Sequence, residues 1–217
     1  MKSHWSDYLL SGACISLLLV LSGAAVLLVK PWTGAALGGY HVLVDAGLAL
    51  VVYGLGSAAL LQLLLRTRPM PLGEHTLDSA AFTYWKLLTV VYRLGQGAIG
   101  WCVPFFLRPL LDTLFGARMG ANVAMGGTID DPYLVTVGPG SVLGNASLVT
   151  ANYLAGSKLV CLPVVIGAGV TVGANAIVMP GTTLGDGATV MSGAVVMPGT
   201  RIPAGETWRG NPARKWV

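Results

Sequence analysis

An aliphatic residue returns at every sixth position through the last quarter of the chain: Ile166, Val172, Val178, Leu184, Val190, Val196 and Ile202, with Trp208 closing the series. The positions between are almost all Gly, Ala, Pro, Thr, Ser and Val. A period of six fits neither an α-helix, at about 3.6 residues per turn, nor the alternation of an ordinary strand. It fits a parallel β-helix wound from hexapeptides, in which each side of a narrow prism is one very short strand. The recurring aliphatics then lie inside the prism, and each coil buries its apolar edge on the next. Glycine supplies the corners, where a Cβ would be strained.

The same rhythm starts at Met119 and Met125 and runs through Val137, Leu143 and Val149. It is interrupted by Asp130, Asp131, Pro132 and Tyr133, and the later series is offset by one residue from the earlier. Residues 150–165 therefore leave the coils. With three hexads to a coil, the two runs amount to about five coils, enough repeats to share a continuous core. A loop projecting from so regular a rod is where a site is expected.

The rest of the chain is apolar. Charged residues make up only 10% of the sequence and hydrophobic ones 54%, far from the soluble average. Leu9–Val29 carries no charge, and Val42–Leu65 carries only Asp45. Each is long enough to cross a bilayer core of about 30 Å as a helix, so a two-helix transmembrane hairpin is expected over residues 1–68. A cleaved signal sequence is disfavoured, because the first run exceeds its usual length and a second run follows. Lys2 precedes the first run, only Lys30 lies between the two, and Arg66, Arg68, Lys86, Arg93, Arg108 and Arg118 follow. The positive-inside rule then places both termini and the β-helix on the cytoplasmic side of the inner membrane, with the loop around Pro31, Trp32 and His41 outside. Asp45 is expected near the outer interface, close to His41. The net charge of +4 is scattered along apolar stretches, which argues against a nucleic-acid surface.

Residues 69–118 are expected to link the two parts. Met70–Gly73 breaks the second helix. Ala80–Tyr92 reads as an amphipathic helix through Phe82, Trp85, Leu88, Val91 and Tyr92. Leu94–Leu107 is uncharged but too short to span, and reads either as an interfacial or re-entrant segment or as a cap on the β-helix. Cys14, Cys102 and Cys161 fall one per region and suggest neither a disulfide frame nor a metal site.

The hexads I-G-A-G-V-T, V-G-A-N-A-I and L-G-D-G-A-T, with the closing W-R-G-N-P-A-R, resemble the hexapeptide-repeat, left-handed β-helix acyltransferases over residues 119–217. The order D-P-Y-L-V-T-V-G, a loop, then I-P-A-G-E-T-W-R-G-N-P-A is more closely similar to the membrane-attached C-terminal domains of poly-lysine-type nonribosomal peptide synthetases. The resemblance implies a homotrimer with sites between neighbouring β-helices, acetyl-CoA or another acyl-CoA as co-substrate, and no metal. It further implies a histidine base from the loop-bearing coil, which removes the acceptor's proton as the acceptor attacks the thioester. The expected acceptor is a hydroxyl or amine on a membrane-borne or small molecule, with membrane lipid as a further partner.

This chain departs from that pattern. Its histidines are His4, His41 and His75, all outside the repeats, and Asn152 stands at the expected base position with Ala151 beside it. An amide donates and accepts hydrogen bonds but takes up no proton near neutral pH. Three explanations stand: a non-catalytic relative acting as a trimeric membrane scaffold, another base or mere positioning, or a deliberately inactivated sequence. The candidate catalytic residues are Asn152, Tyr153 and Asp131, with Asp130 and Lys158 as weaker neighbours. Candidate acyl-CoA contacts are Ser192, Gly193, Ala194, Arg201, Arg209, Gly210, Asn211, Arg214 and Lys215. The arginines there suit phosphate groups, and the small residues suit a pantetheine arm passing close to the backbone. A γ-type carbonic anhydrase is excluded, since that zinc chemistry needs several histidines among the repeats. Asn145-Ala146-Ser147 matches a glycosylation acceptor but lies on a cytoplasmic corner.

Overall fold

The computed structural model describes residues 5–216. They form two compact units. One holds the N-terminal helices with residues 80–103; the other holds residues 71–79 together with 104 onwards. The zone expected to link two domains is thus shared between them.

In the helical unit, α1 (Trp5–Leu37) and α2 (His41–Thr67) are joined by a single 3-10 turn at Gly38–Tyr40. The run is long and apolar enough to cross a bilayer by length and composition. The loop expected at residues 30–41 is mostly helix, with Pro31 inside α1. Reversal is confined to the turn, where Gly38 takes the left-handed conformation at φ 53°. Asp45 is buried and accepts a hydrogen bond from Thr33 Oγ1 at 2.9 Å across that turn, with His41 Nε2 3.9 Å away. The carboxylate therefore ties the two helices together.

α3 (Ala80–Gly100) runs on past Tyr92, where the amphipathic pattern ended, through the uncharged stretch from Leu94 to Gly100. It lies antiparallel on α2. Tyr84 donates its hydroxyl to the carbonyls of Leu64 and Arg68, and Ser57 Oγ donates to Val91 O at 2.5 Å. Gly54 makes the closest approach, where a Cβ would stand 2.5 Å from Ile99 Cγ2. Small residues let helices approach in this way where apolar burial alone does not hold them. The 94–107 stretch is not one segment. Its first half ends α3, and Phe105–Leu107 leads into α4 (Arg108–Leu114) in the second unit.

The second unit is a parallel β-solenoid with three faces. Val137, Ile166, Leu184 and Ile202 are register partners in one column, preceded by Met119. Met125, Leu143, Val172, Val190 and Trp208 form the second column, and Ile129, Val149, Val178 and Val196 the third. Apart from Met119 and Trp208, which are partly buried, these side chains are buried in one core. The interruption at Asp130–Tyr133 is resolved by Ile129. It faces inward two residues early, and Pro132–Leu134 forms a 3-10 turn before the coil resumes at Val135. Glycine follows the inward aliphatic at several corners for a steric reason. A Cβ on Gly138 would lie 2.5 Å from the Gly167 carbonyl carbon, and one on Gly173 would lie 2.4 Å from Ser192 N.

The excursion is shorter than the expected 150–165, because Thr150, Val164 and Val165 stay in solenoid strands; the chain leaves as an antiparallel hairpin of strands Asn152–Ala155 and Lys158–Cys161, turning at Gly156. The strand Gly73–Thr76 adds to its outer edge, pairing Gly73 with Cys161 and His75 with Leu159. This third strand was not expected, and it brings His75 into the solenoid unit. Lys158, one of the weaker neighbours of the candidate catalytic residues, pairs with Glu74 at 2.7 Å. That bond holds the Glu74 carboxyl below its ordinary value and the Lys158 ammonium above its own.

The corner geometry makes a direct prediction. Gly173→Ala should lower stability by about 1–3 kcal/mol, the usual cost of overpacking. Chemical denaturation followed by circular dichroism measures it; an unchanged midpoint would show that the coils do not stack this closely.

Candidate functional site

The hairpin leaves the solenoid beside the Asp130–Tyr133 interruption, because Asp130 and Thr150 are register partners on adjacent coils. Asp131 has a left-handed backbone at φ 52° and is fully buried. Aspartate tolerates that conformation better than most residues. Its carboxylate accepts from Asn152 Nδ2 at 2.7 Å and from the Tyr133 hydroxyl at 3.1 Å. An ionised carboxylate only accepts, so the amide nitrogen must face it, and Asn152 Oδ1 is turned the other way as an acceptor. Two donors offset much of the cost of burying the charge. At the hairpin base, the Thr150 hydroxyl donates to Asn152 O at 2.8 Å and Leu162 N–H donates to Ala151 O at 3.0 Å.

Asn152 and Asp131 are therefore in contact although 21 residues apart. Tyr153 is not part of the group; it follows Asn152 on the strand and points to the opposite face. Tyr133 and Cys161 complete the cluster, and sequence reasoning gave neither a role. Tyr133 was signalled only as part of the interruption. Cys161 is the cross-strand partner of Asn152 and is fully buried; burial and then the Asp131 charge push its thiol up to about 12.

The described histidines lie elsewhere. His41 belongs to the helical unit. His75 sits on the same face of the three-stranded sheet as Asn152, but two strands over and two residues along, a Cα separation of about 12 Å from strand spacings. Buried Leu159 and Cys161 lie between them. His75 Nε2 bonds Pro71 O at 2.9 Å, and a carbonyl only accepts, so that nitrogen carries the proton. His75 is out of hydrogen-bond reach of Asn152 within one chain.

The expected acyl-CoA contacts divide. Arg209 and Arg214 are register partners on the last antiparallel pair, next to Trp208 and Lys215. Arg201 lies on a different face of the prism, paired with Thr183. Lys215 is bound to Glu206 at 2.6 Å, and this bond, helped by one from Trp208 Nε1, holds the Glu206 carboxyl low. The Arg209 guanidinium lies 5.1 Å from the Trp216 ring centre. A recess of about 390 Å³ opens between Gly205–Thr207 and Lys215–Trp216. Gly210 and Asn211 turn the chain between those strands. Ser192, Gly193 and Ala194 form a solenoid corner, with Ala194 buried and Gly193 at φ 70°. Among the described residues, no three metal-ligating side chains are grouped to hold an ion.

Comparison with known proteins supports this architecture. Residues 163–202 match the bacterial transferase hexapeptide (six repeats) family. The structure of a hexapeptide-repeat-containing acetyltransferase from Vibrio cholerae superposes with a TM-score of 0.51 at 17% identity, covering 67% of this chain and 94% of that one. A complex of the Vibrio acetyltransferase with acetyl coenzyme A gives 0.43 at 22% identity, over 47% of this chain and 60% of that one. A serine acetyltransferase from Brucella abortus gives 0.41 at 16% identity, over 89% and 68%. At such identities the likeness is one of fold. No curated protein matches the sequence.

Two outcomes test the cluster. Asp131→Ala removes the acceptor that the half-buried Asn152 amide and Tyr133 hydroxyl share, and should cost about 1 kcal/mol of stability, the usual net worth of a hydrogen bond. An unchanged urea midpoint would contradict the geometry. In folded protein at pH 8, iodoacetamide should alkylate exposed Cys102 while Cys161 stays unmodified until denaturant is added. Equal rates at the two thiols would show that the hairpin does not cover Cys161.

Proposed function

We propose that this chain is a membrane-anchored, acyl-CoA-dependent acyltransferase that acts on an amine. The observation that carries the reading is the Asp131-held Asn152 amide, at the one place where the coils open into a hairpin. The fold is that of hexapeptide acetyltransferases, one solved with acetyl coenzyme A. In this reading the chain forms a trimer of left-handed β-helices, and the acyl-CoA lies along the coils with its phosphates near Arg209, Arg214 and the recess beside Trp216. The helical hairpin spans the inner membrane with both ends cytoplasmic, holding the site beside a membrane-borne acceptor. The closer resemblance to the synthetase C-terminal domains rests on motifs alone.

The amine preference follows from proton bookkeeping. An alcohol is a poor nucleophile until its proton is removed, which is the work of a histidine base. Asn152 cannot do that work. A neutral amine already has its lone pair and needs only positioning, which contributes through orientation alone. Asn152 Oδ1 accepts a hydrogen bond from the amine N–H and aims the nitrogen at the thioester carbonyl. The C–N bond forms, the C–S bond breaks, and the proton lost by nitrogen neutralises the departing thiolate, giving an amide and free CoA.

The missing base also favours a second reading, a non-catalytic trimer that acts as a scaffold at the membrane. Calorimetry with acetyl-CoA, followed by turnover with an alkylamine and an alkanol of equal chain length, separates the two. We expect binding heat, acetylation of the amine only, and a rate that climbs with pH as the amine deprotonates, without an imidazole inflection near about 6.5. Asn152→His should introduce that inflection and give detectable alkanol acetylation. Neither heat nor turnover with either acceptor would sink the enzyme reading in favour of the scaffold.

A further inference from the structure

The hairpin that carries Asn152 supplies two strands of a three-stranded sheet, and the third comes from elsewhere in the chain. Gly73–Thr76 lies in the segment between α2 and α3, yet it belongs to the solenoid unit. It pairs with Lys158–Cys161, which pairs in turn with Asn152–Ala155. One row across the sheet therefore reads Gly73, Cys161, Asn152.

Backbone alternation decides which groups make these bonds. Leu162 N–H donates to Ala151 O at 3.0 Å, and Leu77 N–H donates to Ser157 O at 3.2 Å. In an antiparallel ladder every second pair exchanges both bonds. Lys158 and Val160 therefore turn their N–H groups toward Asn152–Ala155, while Leu159 and Cys161 turn theirs toward Gly73–Thr76. By the same rule His75 N–H faces Leu159 O, and Thr76 N–H points away from the sheet.

The outer strand has work to do here. A two-stranded hairpin is marginal on its own in water, and this one is exposed from Leu154 to Lys158. Burial is concentrated in the middle strand, at Leu159, Val160 and Cys161. Glu74 adds an ion pair to Lys158 beside the turn. Gly73 opens the outer strand at φ 105°, a conformation that glycine adopts without strain.

We propose that Gly73–Thr76 is a positioning element of the acyl-transfer site. It touches no substrate. It holds the strand opposite Asn152, and so fixes the backbone whose side chain Asp131 orients. This proposal rests on the amine-acyltransferase reading.

The test compares His75→Pro with His75→Ala in the full chain. Both lack the imidazole, and only the proline lacks the N–H that meets Leu159 O. The amides of Tyr153 and Ala155, which face the middle strand, should exchange hydrogen about fivefold faster in the proline variant, the worth of roughly one backbone hydrogen bond. Turnover of acetyl-CoA with the alkylamine should fall at least as far, while the binding heat of acetyl-CoA stays the same. Thr76→Pro, measured against Thr76→Ala, should leave the exchange unchanged, since an edge strand tolerates proline where the N–H points outward. If His75→Pro does not fold, Lys158→Glu carries the test. It sets a like charge against Glu74 and should speed exchange about twofold, and adding Glu74→Lys should restore both exchange and turnover. Unchanged exchange overturns the proposal. Faster exchange with unchanged turnover overturns it as well, leaving the enzyme reading intact. No turnover of any amine by the wild type overturns the enzyme reading and the positioning role together.

Discussion

The solenoid depends on one constraint, the close stacking of successive coils. Val137, Ile166, Leu184 and Ile202 lie in register, and the glycines after the first three leave no room for a Cβ against the next coil. Backbone bonds such as Gly138 N–H to Ile166 O at 2.7 Å and Gly167 N–H to Leu184 O at 2.8 Å follow from that contact. A core this regular tolerates an insertion only where a coil corner opens. The residues inserted between Val149 and Ile166 leave as a hairpin and return with the register intact, so that Val149 still pairs with Val178. The hairpin is therefore a projection on a rigid base, which suits a site whose groups must be held in place.

The same constraint puts a charge where the core would not otherwise accept one. Asp131 occupies the coil position left when Ile129 turns inward early, and its left-handed backbone lets the next residues rise as a 3-10 turn. The carboxylate is then buried under the hairpin and held by Asn152 and Tyr133. Asn152 is fixed in consequence. Its orientation is set by the acid beneath it, and the amide oxygen it presents is an acceptor of defined direction. A histidine in that place would be oriented by the same acid, so the framework for orienting a base is present while the side chain on it is an amide.

What could be read from the sequence was what repeats locally. Each inward aliphatic is decided by its own hexad, so the columns, the phase slip and the excursion were all legible. The apolar helices were legible too, because they need only length and composition. Non-local pairing was not. Gly73–Thr76 has no alternation of its own and becomes a strand only because the edge of Lys158–Cys161 is open to it. Asp131 and Asn152 were both candidates for one site, but their direct contact could not be read from the sequence for a similar reason. Only the early inward turn of Ile129 brings residues 21 apart into one cluster. The separation of Tyr153 from the cluster follows from strand alternation, but that alternation applies only once residue 152 is known to begin a strand. Arg201 left the C-terminal cluster because a hexad of separation changes the face of the prism.

The helical unit and the solenoid use charge in the same way. Asp45 binds Thr33, Asp7 binds Lys86, and Asp131 binds Asn152 and Tyr133. In each case a buried or half-buried carboxylate joins elements that apolar packing alone would leave free to slide, since aliphatic surfaces have no preferred register. Hydrogen bonds to a carboxylate supply direction as well as energy. In a chain where charges are only 10% of the residues, these few acids fix the helical turn, the contact of α1 with α3 and the base of the hairpin. A reaction at Asn152 would thus be governed by a group that never touches the substrate. The proposed amine preference turns on this arrangement, because Asp131 fixes the direction of Asn152 Oδ1 and an oxygen so fixed can aim an N–H without ever taking its proton.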